Sequence, residues 1–242
     1  MRSRNHDTRF SRTRTSRRET HVETDNGTAN FIAIDQHTNK IYVSQYWDGT
    51  VWVIDGDSDQ VVGVINGVGV AAAPDDCYLP ANNDDCTNQY SGLDHIAVDE
   101  TLRRAYVLGT NDGRFVTIDT EKNQVISTKF IGSNQYDAAV NPFTHTVYSI
   151  SDLFDTLAVI DGKTDRPVAE NILVGSPPSP PGCLTSTTGC TNYGDLPQSI
   201  AVNPTTGKIY VADPGDTFSN PEAVSHIVIL KAREGHPWVS PW

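Results

Sequence analysis

Ser199-Ile200-Ala201-Val202-Asn203-Pro204-Thr205-Thr206-Gly207-Lys208-Ile209-Tyr210-Val211 is a pair of short apolar runs around a Pro/Gly turn, and it recurs three times upstream. The earlier copies are Ile32-Ala33-Ile34-Asp35 with Ile41-Tyr42-Val43, Ile96-Ala97-Val98-Asp99 with Ala105-Tyr106-Val107, and Ala138-Ala139-Val140-Asn141 with Val147-Tyr148-Ser149. Self-similarity of this kind marks a repeat architecture, in which each unit buries its apolar face against its neighbours. The four tyrosines lie 64, 42 and 62 residues apart, so the basic unit is about 42 residues and two junctions carry some 20 extra.

Within the first unit, strands are expected at 31–34, 40–44, 50–54 and 60–66, each rich in Val, Ile, Tyr and Trp and bounded by Gly, Asp, Asn or Pro. Four antiparallel strands in about 40 residues make one blade of a β-propeller. The third strand keeps register as well, because Asp55, Asp119 and Asp161 each lie 13 residues after their tyrosine. In the fourth unit the matching strand is 225–230, delayed by an insertion at 214–224. The expected fold is therefore all-β, with about four four-stranded antiparallel blades at about 31–69, 95–134, 136–176 and 199–242 within one domain spanning 21–242. These blades form either a whole ring or part of a larger one. A strand at 21–24 is the candidate to complete the last blade, since an open sheet edge invites pairing with other chains. Without such closure, self-association through blade edges follows.

The segments Ile200-Ala201-Val202-Asn203-Pro204, Lys208-Ile209-Tyr210-Val211, Thr156-Leu157-Ala158-Val159-Ile160-Asp161 and 168–175 resemble successive strands of the YVTN-type β-propeller repeat. The resemblance covers nearly all of 31–230. It implies a propeller scaffold, commonly of more blades than four, in secreted or cell-surface proteins. It brings no catalytic residue with it.

The blade topology of that family gathers two kinds of loop at one face. The second-to-third-strand loops contain Tyr46, Trp47, Asp48, Asn111, Asp112, Asp152, Asp155, Asp213 and Asp216, and the blade-to-blade loops contain Asp75, Asp76, Tyr78, Asp84, Asp85, Tyr90 and Tyr193. The inner strands begin there with Asn30, Asp94, His95, Tyr136, Asp137 and Gln198. Ligand contacts are accordingly expected from Tyr46, Trp47, Asp94, His95, Tyr136, Asp137 and Gln198. Clustered carboxylates favour a cationic partner or bound calcium, a hard ion that takes several oxygens, and Asp75, Asp76, Asp84 and Asp85 are its candidate ligands. Turns also require Asp and Asn, so the same residues are compatible with plain loops. No other cofactor is expected. His95, beside Asp94 and one blade from Asp137, is the nearest approach to an acid/base pair; it is read as either structural or catalytic. Asp55-Gly56-Asp57-Ser58-Asp59 imitates a calcium loop but has Gln60 at the sixth position and Asn66 at the twelfth, so it is read as a turn.

Both long junctions, 70–93 and 177–197, hold a close cysteine pair, Cys77 with Cys86 and Cys183 with Cys190. Zinc ligands normally stand two to four residues apart, so local disulfides are the expectation, and these imply an oxidising compartment at or outside the cell surface. Charge is uneven. Residues 1–18 hold seven Arg against Asp7 alone, while the remainder carries 11 basic and 29 acidic residues within a chain of net charge −12. The segment 1–20 is expected to be a disordered basic tail, either a polyanion-binding arm, a solvated tail or a mis-set start. The acidic body argues against nucleic acid, and no apolar run is long enough to span a bilayer. Two functions remain open: an extracellular or cell-surface binding or scaffold module for a protein, glycan or cation, and a lyase or hydrolase using His95 and Asp137.

Overall fold

A computed structural model describes residues 22, 28–70, 91–132, 134–175, 196–215 and 224–231. The first sheet contains β1 (Ala29–Asp35), β2 (Lys40–Gln45), β3 (Val51–Asp55) and β4 (Gln60–Ile65). The second contains β5 (Leu93–Asp99), β6 (Arg104–Gly109), β7 (Arg114–Asp119) and β8 (Gln124–Phe130). The third is built from β9 (Gln135–Asn141), β10 (Thr146–Ser151), β11 (Thr156–Asp161) and β12 (Arg166–Leu173). The fourth is β13 (Ser199–Asn203), β14 (Lys208–Asp213) and β15 (His226–Lys231). Every sheet is an antiparallel meander in chain order. The inner strands β1, β5, β9 and β13 stand side by side in that order.

One turn builds seven hairpins. Asp35, Asp55, Asp99, Asp119, Asn141, Asp161 and Asn203 each close a strand and accept the backbone N–H groups two and three residues on. Four residues after each of them the chain turns left-handed, at Asn39, Asp59, Arg103, Asn123, His145, Asp165 and Gly207. A short side-chain oxygen mimicking a backbone acceptor is what holds such a turn. Asp55 is one of these, its carboxyl held below the usual carboxylate range by the Ser58 hydroxyl and the Ser58 amide. The turn reading of the calcium-like motif agrees with this geometry.

The four tyrosines occupy one equivalent place. Tyr42, Tyr106, Tyr148 and Tyr210 each pair directly with an alanine of the inner strand, Ala33, Ala97, Ala139 and Ala201. A small residue opposite each ring leaves room for it to lie over the sheet. The tyrosine face of each sheet packs on the opposite face of the next, which produces three inter-sheet cores. Tyr42, Val51, Val53 and Ile65 meet Ile96, Val107, Val116 and Ile118; Tyr106, Leu108 and Phe115 meet Ala138, Val147, Ala158 and Ile160; Tyr148, Ile150, Leu157 and Val159 meet Ile200, Ile209 and Val211. Each fully buried Val, Leu or Ile contributes roughly 1.5–3 kcal/mol, so these cores are the principal glue between sheets.

Polar staples set the angle of approach. The Tyr42 hydroxyl donates to the Thr120 carbonyl at 3.1 Å, and the Tyr106 hydroxyl to the Gly162 carbonyl at 2.9 Å, the same position one sheet further on. Lys40 Nζ reaches the Thr120 carbonyl at 2.9 Å, and the guanidinium of Arg104 reaches the carbonyls of Gly162 and Lys163. Burial raises both tyrosine hydroxyls above their ordinary titration range, so they remain donors.

The fourth sheet has three strands among the described residues, and the inner strands of the first three sheets start at Ala29, Leu93 and Gln135. Of the proposed closing strand at 21–24, only Val22 is described, and it belongs to no strand. The basic tail at 1–20 and Cys77, Cys86, Cys183 and Cys190 lie outside the described residues, as do Asp75, Asp76, Tyr78, Asp84, Asp85, Tyr90, Tyr193 and Asp216.

Candidate functional site

The starts of β5 and β9 bring four of the sequence-nominated residues together: Asp94, His95, Tyr136 and Asp137. Asp94 Oδ1 accepts from Asn30 Nδ2 at 2.7 Å, and its Oδ2 accepts from the Thr110 hydroxyl at 3.1 Å. Despite these bonds its carboxyl is raised above the usual range, because the desolvation of burial outweighs them and Asp137 adds like charge. His95 Nδ1 approaches Asp137 Oδ1 at 2.7 Å, as a close polar contact outside hydrogen-bond alignment. The imidazole lies against Phe31, with ring centroids 4.6 Å apart at 49°.

Asp137 carries a second duty. Its Oδ1 accepts from the Ala138 amide at 2.6 Å, and its Oδ2 from the Ile200 amide at 2.9 Å. One carboxylate thus links β5, β9 and β13, which means that three adjacent sheets converge on it. Gln135 plays a similar part: its carbonyl accepts from Thr110 at 2.9 Å, and its side-chain oxygen takes the Ser149 hydroxyl.

Asp152 is the strongest feature the sequence reading does not place in the site. It follows β10 directly, its Oδ1 is buried with no hydrogen-bond partner among the described residues, and burial pushes its carboxyl up to about 6. Asp94 contributes like charge to that shift, and both aspartates, with Asp137, raise the Tyr136 hydroxyl after burial itself. The signal is present in the loop. Asp155 already supplies the left-handed turn residue there, so Asp152 is not needed to make the turn. Gln45 is a second missed residue, fully buried with both amide atoms unpartnered among the described residues.

Other nominated residues stand apart. Tyr46 and Trp47 meet edge to face, centroids 4.6 Å apart at 87°, and the Tyr46 ring covers Gly92, where an added Cβ would come within 3.2 Å of it. Gln198 is exposed, with its amide paired to the Ala212 carbonyl at 3.0 Å. The second-to-third-strand loops are less acidic at their surface than their composition implies. Asp155 and Asp213 are buried, the first accepting from the Leu196 amide at 2.9 Å and the second beside His226 at 3.1 Å, while Asp112 accepts from Ser91 and Arg114. Among the described residues no group of three or more His, Cys, Asp or Glu side chains could hold a metal ion.

No protein-family description matches the chain, and no curated protein matches it. Solved structures do. Hydrazine synthase of Kuenenia stuttgartiensis aligns at 17% identity over 80% of this chain and 44% of that one, with a TM-score of 0.54. The WD40 repeats of RRP9 align at 10% identity over 85% of this chain and 52% of that one, TM-score 0.48, and U3-55K at 11% over 88% and 55%, TM-score 0.49. The chain therefore spans about half the length of the structures it matches. At these identities the likeness concerns fold alone: the chain is an all-β protein of propeller-like sheets.

Proposed function

We propose that the chain is a YVTN-type propeller module of the cell surface or extracellular space that binds a protein partner by a cationic side chain, seated among Asp94, Asp137, Asp152 and Tyr136. One observation carries this reading: the Asp152 carboxyl, pushed up to about 6, with a buried oxygen that has no hydrogen-bond partner among the described residues. An ammonium or guanidinium group placed there supplies the missing donor and offsets the desolvation that raises Asp94 and Asp152. A glycan offers hydroxyl donors without the charge, and calcium asks for more convergent carboxylates than the described residues provide. The secreted setting is supported by the cysteine spacing.

The test is fluorescence anisotropy with a labelled peptide of alternating Gly and Arg, at pH 5 and pH 8. Binding strengthens at the higher pH, as Asp152 ionises, and weakens at least about tenfold in Asp152→Asn. Equal binding in wild type and Asp152→Asn at pH 8 refutes the site.

The 2.7 Å approach of His95 to Asp137 favours a second reading, proton transfer in a lyase or hydrolase. Loss of turnover in His95→Ala with an unchanged melting temperature would select it over binding.

A further inference from the structure

The three junctions between sheets bury equivalent apolar positions, the first two add a polar staple, and the first and last sheets each present one half of that plan to solvent. On the first sheet, Ile32 is 64% exposed and Ile34 54%, with Val62 and Val64 beside them at 56% and 43%. The residues that repeat Ile32 in the second and fourth sheets, Ile96 and Ile200, are 2% and 7% exposed, each covered by the preceding sheet. On the last sheet, Ile227 pairs with Ala212 and Ile229 with Tyr210, and they are 57% and 58% exposed. Their counterparts in the third sheet, Leu157 and Val159, are fully buried against the fourth.

The polar staples are split in the same manner. Lys40 and Arg104, each two residues before its tyrosine, reach the turn after the third strand of the following sheet; Arg104 Nη1 lies 3.5 Å from Asp165 Oδ1 there. Lys208 holds that position in the last sheet and is exposed beside the half-buried Tyr210. The complementary turn is on the first sheet at 56–59, with the Gly56 carbonyl in the place of Thr120 and Gly162, and the exposed Asp59 in the place of Asp165.

We infer that the last sheet of one copy docks on the free face of the first sheet of a second copy. In that contact Ile227, Ile229 and Tyr210 cover Ile32, Ile34 and Val64, and Lys208 pairs with Asp59. Two such contacts, related by a two-fold axis, close two four-sheet arcs into one ring of eight. A head-to-tail contact must either close or extend into a filament, and eight sheets lie within the range of closed propellers. Exposed apolar surface of this extent on two opposite faces is costly unless covered. The charge match of Lys208 to Asp59, which reproduces an ion pair already made within the chain, selects a second copy over an unrelated partner.

The experiment is light scattering on the full chain from about 1 to about 50 µM, with the dissociation constant followed by sedimentation. The expected mass is twice 26.4 kDa. Ile32→Lys and Ile229→Lys, both at exposed sites, keep the strand circular dichroism and weaken association at least about tenfold, with Ile32→Ser as the milder variant. Lys208→Glu and Asp59→Lys each weaken it alone, and together restore it. A single-copy mass across the range, an open-ended series of sizes, or a two-copy mass insensitive to Ile32→Lys and Ile229→Lys overturns the inference.

Discussion

Removing the Tyr106 hydroxyl and the Arg104 guanidinium, singly and together, tests whether the inter-sheet staple works as one unit. Both groups donate to the buried Gly162 carbonyl, Tyr106 at 2.9 Å. In Tyr106→Phe that carbonyl keeps Arg104, so the loss is one net hydrogen bond, about 1 kcal/mol, or about 2–4 °C in Tm for a chain of this size. Arg104→Met leaves the carbonyl with Tyr106 and leaves Asp165 with the Thr117 hydroxyl at 2.8 Å, so its cost is again about 1 kcal/mol. The double variant strips the buried carbonyl of both donors and adds an orphaning penalty of about 1–3 kcal/mol, for a total of about 3–5 kcal/mol. Urea denaturation followed by near-ultraviolet circular dichroism, on all four proteins of the cycle, measures the coupling. Strict additivity would refute the shared-acceptor argument and reduce the two residues to independent packing contacts.

Gly162→Ala places a Cβ 2.5 Å from the Tyr106 hydroxyl and 2.7 Å from the His145 carbonyl, so it destabilises by about 1–3 kcal/mol, part of which Tyr106→Phe recovers; denaturant melts decide. Asp152 titrates at about 6 when folded against 3.8 for an unperturbed aspartate, so its neutral form favours the fold below pH 3.8 and that contribution is lost as pH rises through 6. At pH 8 the ionised carboxyl leaves the fold less stable by up to about 3 kcal/mol, and Asp152→Asn flattens this dependence in stability measured at pH 4 and 8. Asp137→Ala strands the buried Ile200 amide and costs about 2–4 kcal/mol by urea melts; a stability change below about 0.5 kcal/mol would contradict its bridging role.

The fold is legible because the unit repeats: tyrosine opposite alanine and an Asp or Asn at the end of each hairpin's first strand recur in register, and local rules suffice to read them. Spacing alone finds the third strand of the fourth sheet, at His226–Lys231. Side-chain pairs across sheets are only half visible. Asp94, His95 and Asp137 stand out from their place at the strand starts, but nothing in the one-dimensional pattern tells that Asp137 accepts from the Ile200 amide 63 positions away. Asp155 and Asp213 read as surface charge, since a loop aspartate that caps a buried amide and one that faces water look alike in sequence. Asp152 is read as one more carboxylate of the loop face and is not singled out for the converse reason: its perturbation comes from burial, which composition does not report.

Because each sheet follows chain order, hydrogen bonding within a sheet is sequence-local, and the tyrosine-faced cores with their polar staples join one sheet to the next. Such a chain behaves as a short one-dimensional array with nearest-neighbour coupling, in which each module is stabilised by the neighbours it packs on. Within a single copy, at concentrations too low for association, amide exchange should then grade along the polypeptide, slowest in β6, β7 and β10 and fastest in β15, whose module there has one neighbour and one strand fewer among the described residues. The same independence lets insertions accumulate at the junctions, as the two cysteine-bearing ones have, without disturbing the register of any module.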